Sequence, residues 1–106
     1  MFFITKGRVS FVIEKKQIPF KDMLEGGYFG EIDIIFKRTR SFSTRSAVDT
    51  DFLTLSKTIF EEVVVNDYPE VYEEMYLVAY ERLKRLKEAK KRAIKEFREW
   101  QDDQKD

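Results

Sequence analysis

The stretch Tyr28-Phe29-Gly30-Glu31-Ile32-Asp33-Ile34-Ile35, followed at Arg40 by Arg-Ser-Phe-Ser-Thr-Arg, organises the reading of this chain. A Gly pair, Gly26-Gly27, turns the backbone into it, and apolar runs flank it. Within a short span it offers a Gly, a carboxylate and a fixed cation. A Gly lets main chain approach a ligand closely because no Cβ stands in the way. Main-chain N–H groups in a turn can form an anion-binding concavity. Arg40 supplies a planar, permanently charged fork suited to phosphate oxygens. Glu31, an acceptor-only carboxylate, is suited to sugar hydroxyls. An exposed hairpin tip carrying a salt bridge is the bland alternative on spacing alone.

Working outward, residues 2–13 read as two strands about a turn at Lys6-Gly7, with Val9, Phe11 and Ile13 alternating with Ser10 and Val12. Glu14 to Gln17 is a polar loop. Pro19 fixes φ and cannot donate to a ladder, so Ile18-Pro19-Phe20 fits a strand start or an edge. Ile32, Ile34 and Ile35 continue as a short helix or strand. After Phe42 the pattern is extended again, with Phe52-Leu53-Thr54-Leu55 as a closing strand and Asp49-Thr50-Asp51 as its turn. Ser56 is placed to cap a helix, which Asn66-Asp67-Tyr68-Pro69 interrupts because the residue before Pro leaves the α region. Beyond Pro69, Met75, Tyr76, Ala79, Leu83, Leu86, Ala93, Phe97 and Trp100 recur at helical spacing with no Gly or further Pro. A bend between a shorter helix and a final one is expected here, without a sequence marker.

Composition removes whole classes of chemistry. The 106 residues contain no Cys and no His, so thiol nucleophiles, disulfides, imidazole bases and Cys/His metal sites are absent from this sequence. Lys+Arg and Asp+Glu are 20 each, so long-range attraction to nucleic acid is not expected. The balance hides an asymmetry: Glu81 to Glu99 holds nine basic residues against four acidic ones. That run could meet anionic lipid as well as solvent. No run of ~18 apolar residues is present to span a bilayer.

The segment Phe29-Gly30-Glu31-Ile32 with Arg40-Ser41 resembles the phosphate-binding cassette of cyclic-nucleotide-binding domains. The likeness is greatest to those on the cytoplasmic side of cyclic-nucleotide-gated and hyperpolarisation-activated cation channels. Met1-Phe2-Phe3-Ile4 with Gly7 and Val9-Ser10 looks like the strands before the cassette. Phe60-Glu61-Glu62-Val63 with Tyr68-Pro69 looks like the helix after the β-roll, and Arg82-Leu83-Lys84-Arg85-Leu86 like the start of the last helix. The resemblance implies an α+β fold: a partial antiparallel, jelly-roll-like β-roll over residues 1–56 with the cassette at 28–45. C-terminal helices follow over 57–100, the last long and amphipathic, and then an acidic tail at 101–106. It implies that cAMP or cGMP, rather than a cofactor or metal, is the ligand. Its contacts would be Phe29, Gly30, Glu31, Ile32, Arg40 and Ser41, with Arg82, Arg85 and Leu86 closing over the base.

Two residues depart from the family pattern. Asp33 stands where a small residue is usual, opposing an anion unless it pairs with Lys37 or Arg38. Phe42 also replaces a small residue, and either stacks on a base or plugs the pocket. Relative to the family the chain starts in mid-roll, so a fragment of a longer protein is expected. The function expected is that of a regulatory module and not an enzyme: part of a cytoplasmic gating domain of a potassium-type cation channel. Its partners would be the channel polypeptide and like subunits, in a possible tetramer on the cytoplasmic face of a membrane. A non-binding assembly module with a vestigial pocket is the alternative.

Overall fold

A computed structural model describes residues 1–37 and 42–104. The chain is α+β, with two antiparallel three-stranded sheets followed by a long C-terminal helix. In chain order the elements are β1 (Phe2–Lys6), β2 (Val9–Ile13), β3 (Ile18–Met23), β4 (Tyr28–Phe29), α1 (Glu31–Ile35), β5 (Ser43–Ser46), β6 (Asp51–Thr54), α2 (Lys57–Phe60) and α3 (Pro69–Asp103). The first sheet has the order β4-β1-β6 and the second β3-β2-β5. Consecutive strands β1 and β2 thus lie in different sheets, which is how the chain wraps a core between them.

The turn that moves the chain from one sheet to the other depends on Gly7. Its φ is +97°, and a Cβ there would stand 2.6 Å from the Asp49 carbonyl oxygen. That approach is closer than any L side chain tolerates. Strand β2, in the middle of its sheet, buries Val9, Ser10, Phe11 and Val12 in succession and so departs from simple alternation. Ser10 can be buried because its hydroxyl donates to Asp22 Oδ1 at 2.6 Å, which satisfies the polar group. Pro19 lies on the edge strand β3, opposite Val12 and next to the register shift between Phe11 and Val12. A missing donor costs least at such an irregular edge position.

Aromatic rings fill the space between the sheets. Phe2 and Phe29 stack at 5.0 Å, and Phe11 meets Phe42 edge-on at 5.9 Å. Rings in these offset and T-shaped arrangements contribute beyond their buried area. Ile32 and Ile35 of α1 enter the same core, joined from α3 by Ala79, Leu83 and Leu86.

Ser56 caps α2 as its chemistry predicts, its hydroxyl accepting from the Ile59 N–H at 3.2 Å. Residues Glu61–Asp67 form a π-helical stretch, and Tyr68 leaves helical geometry at φ −131° before Pro69 opens α3. The bend expected within the final helix is not present: α3 runs as one helix of 35 residues. No Gly, Pro or inserted turn interrupts its hydrogen-bond ladder, and those are the usual causes of a kink. Among the described residues no helix is long and apolar enough to cross a membrane.

Candidate functional site

Gly30 ends β4 and starts α1, and it does so with φ +88° and ψ −7°. A Cβ there would also press on the Phe2 ring at 3.2 Å, so the position is closed to larger residues on two counts. The reversal turns Glu31 inward at the first position of α1, where its residue exposure is only 2%. Phe29 and Ile32 on either side are buried in the core and fix the backbone of the turn.

Arg82 reaches Glu31 from the far end of the sequence. Its Nη1 donates to Glu31 Oε1 at 2.6 Å, and its Nη2 donates to the Tyr28 carbonyl oxygen at 2.6 Å. A further contact runs from Nη2 to the Met23 sulfur at 3.2 Å. The guanidinium lies 4.9 Å from the Tyr28 ring centroid and 6.0 Å from that of Phe11. Arg82 is therefore clamped between a carboxylate, a carbonyl and two aromatic rings, a setting in which Arg's planar fork loses little further entropy. Glu31 Oε2 is buried and has no hydrogen-bond partner among the described residues. Burial pushes the Glu31 carboxyl above its ordinary 4.5, opposed by the charge of Arg82.

Among the described residues, two spaces are of interest beside this pair. Beside the turn, a void of about 30 Å³ is bounded by Phe11, Phe29, Gly30, Glu31, Asp33 and Phe42. That is room for about one water molecule. Phe42 is among the residues that fill it, being 9% exposed and packed on Phe11 and Phe20. On the other side of Arg82, an open groove of about 520 Å³ runs between β3 and α3, lined by Phe20, Lys21, Met23, Arg82, Arg85 and Leu86 among others.

The structure thus brings Phe29, Gly30, Glu31, Ile32 and Arg82 together at one place. Leu86 is buried beneath the groove and Arg85 is exposed at its side. Arg40 and Ser41 lie outside the described residues. Sequence reasoning selected Glu31 and Arg82 separately, each as a contact for a ligand, and missed that they pair with one another. It also missed Met23 and the Tyr28 carbonyl as partners of Arg82. The available signal was physical: a Glu flanked by Phe29 and Ile32 is headed for the core, and a buried carboxylate needs a cation.

No protein-family profile matches the chain, and no curated protein does. Solved structures do. The EAL enzyme Bd1971 in its cAMP- and cyclic-di-GMP-bound form matches with a TM-score of 0.62 and 31% identity, covering 81% of this chain and 23% of that one. The fold is that of a protein solved with cyclic nucleotides bound. The cGMP-bound form of the same enzyme gives a TM-score of 0.59 and 31% identity over 77% of this chain and 22% of the other. A shorter chain, in a half-site-occupied form, gives 0.56 and 31% identity, with 81% of this chain and 78% of that one covered.

These matches overturn the expectation that no enzyme is involved, since the structures sharing this fold are those of an enzyme. The expectation rested on the lack of any catalytic constellation in these residues, His and Cys being among the missing groups. Those absences remove imidazole and thiol chemistry from these 106 residues and carry no information about domains joined to them. The chain spans about a fifth of the length of the first two Bd1971 chains.

Proposed function

We propose that this chain is a cyclic-nucleotide-binding regulatory module that acts on a larger polypeptide. The observation that carries the reading is the buried Glu31 behind Gly30, with one carboxylate oxygen unpartnered, in a fold shared with a cAMP- and cGMP-bound protein. In this reading the Glu31 carboxylate takes a ribose hydroxyl, the Gly30 backbone admits the phosphate, and Arg40 and Ser41 complete the anion site. Phe29 and Ile32 shape the turn, and Arg82, Arg85 and Leu86 flank the base from the groove. A cyclic nucleotide is far larger than the 30 Å³ void, so its entry beside Glu31 requires Phe42, which lines that void, to move. Ligand and regulation are coupled through that movement, because a ligand shifts an equilibrium only by its differential affinity for two states.

Within this reading, a gating domain on the cytoplasmic face of a potassium-type cation channel has its support in the motif resemblance of Phe29 to Ile32, Arg40-Ser41 and Arg82 to Leu86. The rest of the channel polypeptide and like subunits, four in a tetramer, would then be its partners. The small void and the Arg82 already seated on Glu31 favour a second reading, a non-binding assembly module whose pocket is self-filled.

Calorimetric titration with cAMP and then cGMP separates the two. Micromolar binding, weakened roughly 10- to 100-fold in Arg40→Ala by loss of a charged hydrogen-bond donor, is the expected result. Absence of heat with either nucleotide, from protein shown folded by circular dichroism, would establish the self-filled module instead.

A further inference from the structure

Phe42 stands just outside the ladder that holds β5, whose first paired residue is Ser43, opposite Val12. Its ring is nonetheless buried, edge-on to Phe11 at 5.9 Å and tilted on Phe20 at 6.1 Å. Beside it lies the void of about 30 Å³ that Glu31 also borders, and Glu31 Oε2 has no partner among the described residues. From α3, the Lys90 ammonium comes to 5.9 Å from the centroid of the Phe42 ring. Lys90 is half-buried, and its ammonium makes no hydrogen bond or ion pair among the described residues. The ring face is thus the contact that favours its charge there.

We propose that Phe42 fills the place of the ligand's base, that the nucleotide binds by turning this ring out, and that Lys90 then selects guanine over adenine. The proposal rests on the cyclic-nucleotide reading above and names the base. A rotation of the Phe42 side chain breaks no pair of the β2–β5 ladder, because the ladder begins one residue later. A purine in the vacated place meets Phe11 and Phe20 as the ring did, so one aromatic partner is exchanged for another. What opposes binding is the exposure of Phe42, which lowers apparent affinity by the fraction of molecules with the ring turned out.

Selection follows from the purine edge that reaches Lys90. With the ribose on Glu31, the sugar end of the ligand lies near Arg82, which is bonded to the same carboxylate. Lys90 is eight residues farther along α3, about 12 Å at the ordinary helical rise. The edge of the purine remote from the sugar therefore points toward the ammonium. That edge carries O6 in guanine, an acceptor, and the N6 amino group in adenine, a donor. An ammonium only donates. Guanine gains a charged hydrogen bond there, whereas adenine sets donor against donor.

Calorimetry with cGMP and cAMP on the whole chain, for wild type, Phe42→Ala, Phe42→Leu and Lys90→Met, reads both parts. Wild type should take cGMP roughly tenfold or more tighter than cAMP. Lys90→Met should bring the two affinities within about threefold of each other by weakening cGMP. Phe42→Ala should tighten both nucleotides roughly 10- to 100-fold, since no ring has to be exposed. Phe42→Leu keeps more of the core filled and should shift the same way, so the plug stays readable if the alanine variant does not fold. Nucleotide bound by a Phe42 variant and not by wild type supports the plug in full, with the base preference then read in that variant. Folded Phe42 variants that bind both nucleotides more weakly than wild type overturn the plug, because the ring would then be stacking on the ligand. Equal affinities in wild type, or a preference that survives in Lys90→Met, overturn the selection while leaving the nucleotide reading intact. Absence of heat from wild type and Phe42 variants alike, all folded by circular dichroism, overturns that reading and the proposal with it.

Discussion

A carboxylate that is 2% exposed needs a partner for each oxygen, and among the described residues Glu31 has one for Oε1 alone. The folded state therefore favours the protonated form more than the unfolded chain does, and the Glu31 carboxyl sits above its ordinary 4.5. Between 4.5 and that raised value the folded protein holds a proton that the unfolded chain has released. Stability contributed by Glu31 must then fall as pH rises through this window and recover on acidification toward 4.5. Urea unfolding of wild type and Glu31→Gln at matched pH values tests it. The wild type should gain on the variant as pH is lowered from neutral. A constant difference would mean that Arg82 fully compensates the buried charge. Glu31 and Arg82 were each legible in the sequence as residues of interest, but their pairing was not. It joins positions 51 apart, and no local pattern encodes which cation will reach a given carboxylate.

At the scale of elements, local chemistry was readable wherever one residue type dictates one geometry. Ser56 caps α2 through a hydrogen bond to Ile59, which satisfies a donor the helix itself cannot. Ser56→Ala should cost about 0.5–1 kcal/mol, the lower part of the range for caps because the site is exposed. A thermal midpoint lowered by a few degrees, with unchanged ligand response, is the expected measurement; an unchanged midpoint would show that solvent satisfies the Ile59 N–H equally well. Pro19 was placed at a strand start or an edge because its missing donor leaves few alternatives, and Asn66 to Pro69 was read as a break for a similar reason. The π-helical stretch at Glu61–Asp67 was not legible. It inserts a residue into a helical ladder without any Gly or Pro to announce it. The continuity of α3 was misread because the resemblance suggested a bend that its own uninterrupted sequence does not supply.

For the whole molecule, much depends on a few rings. Phe60 is fully buried, meets Tyr72 edge-on at 6.4 Å and lies in the core that joins the sheets to the helices. Removing such a ring costs about 3–5 kcal/mol through lost transfer energy and the cavity left behind. Small domains have about 5–15 kcal/mol in total. Phe60→Ala should therefore shift the urea midpoint to low denaturant or abolish the cooperative transition. A loss under about 1 kcal/mol would mean that the surrounding side chains collapse into the space. The α+β class came with the family resemblance and the long helix was legible from periodicity, whereas the division of β1 and β2 between sheets depends on contacts far apart in the chain.

The place of β1 also governs the order of events during folding. It is the middle strand of its sheet, with Phe2 paired to Phe29 on one side and to Thr54 on the other. Strand β1 thus waits for about half of these 106 residues before its second edge is covered. Until then Phe2, Phe3 and Ile4 present an apolar strand with open hydrogen-bonding groups, the kind of surface to which other chains add. Pairings this distant in sequence close slowly. The helix α3, built from local contacts, can form while the first sheet is still incomplete. The interval between the making of β1 and the arrival of β6 is therefore the one in which wrong pairing competes with folding.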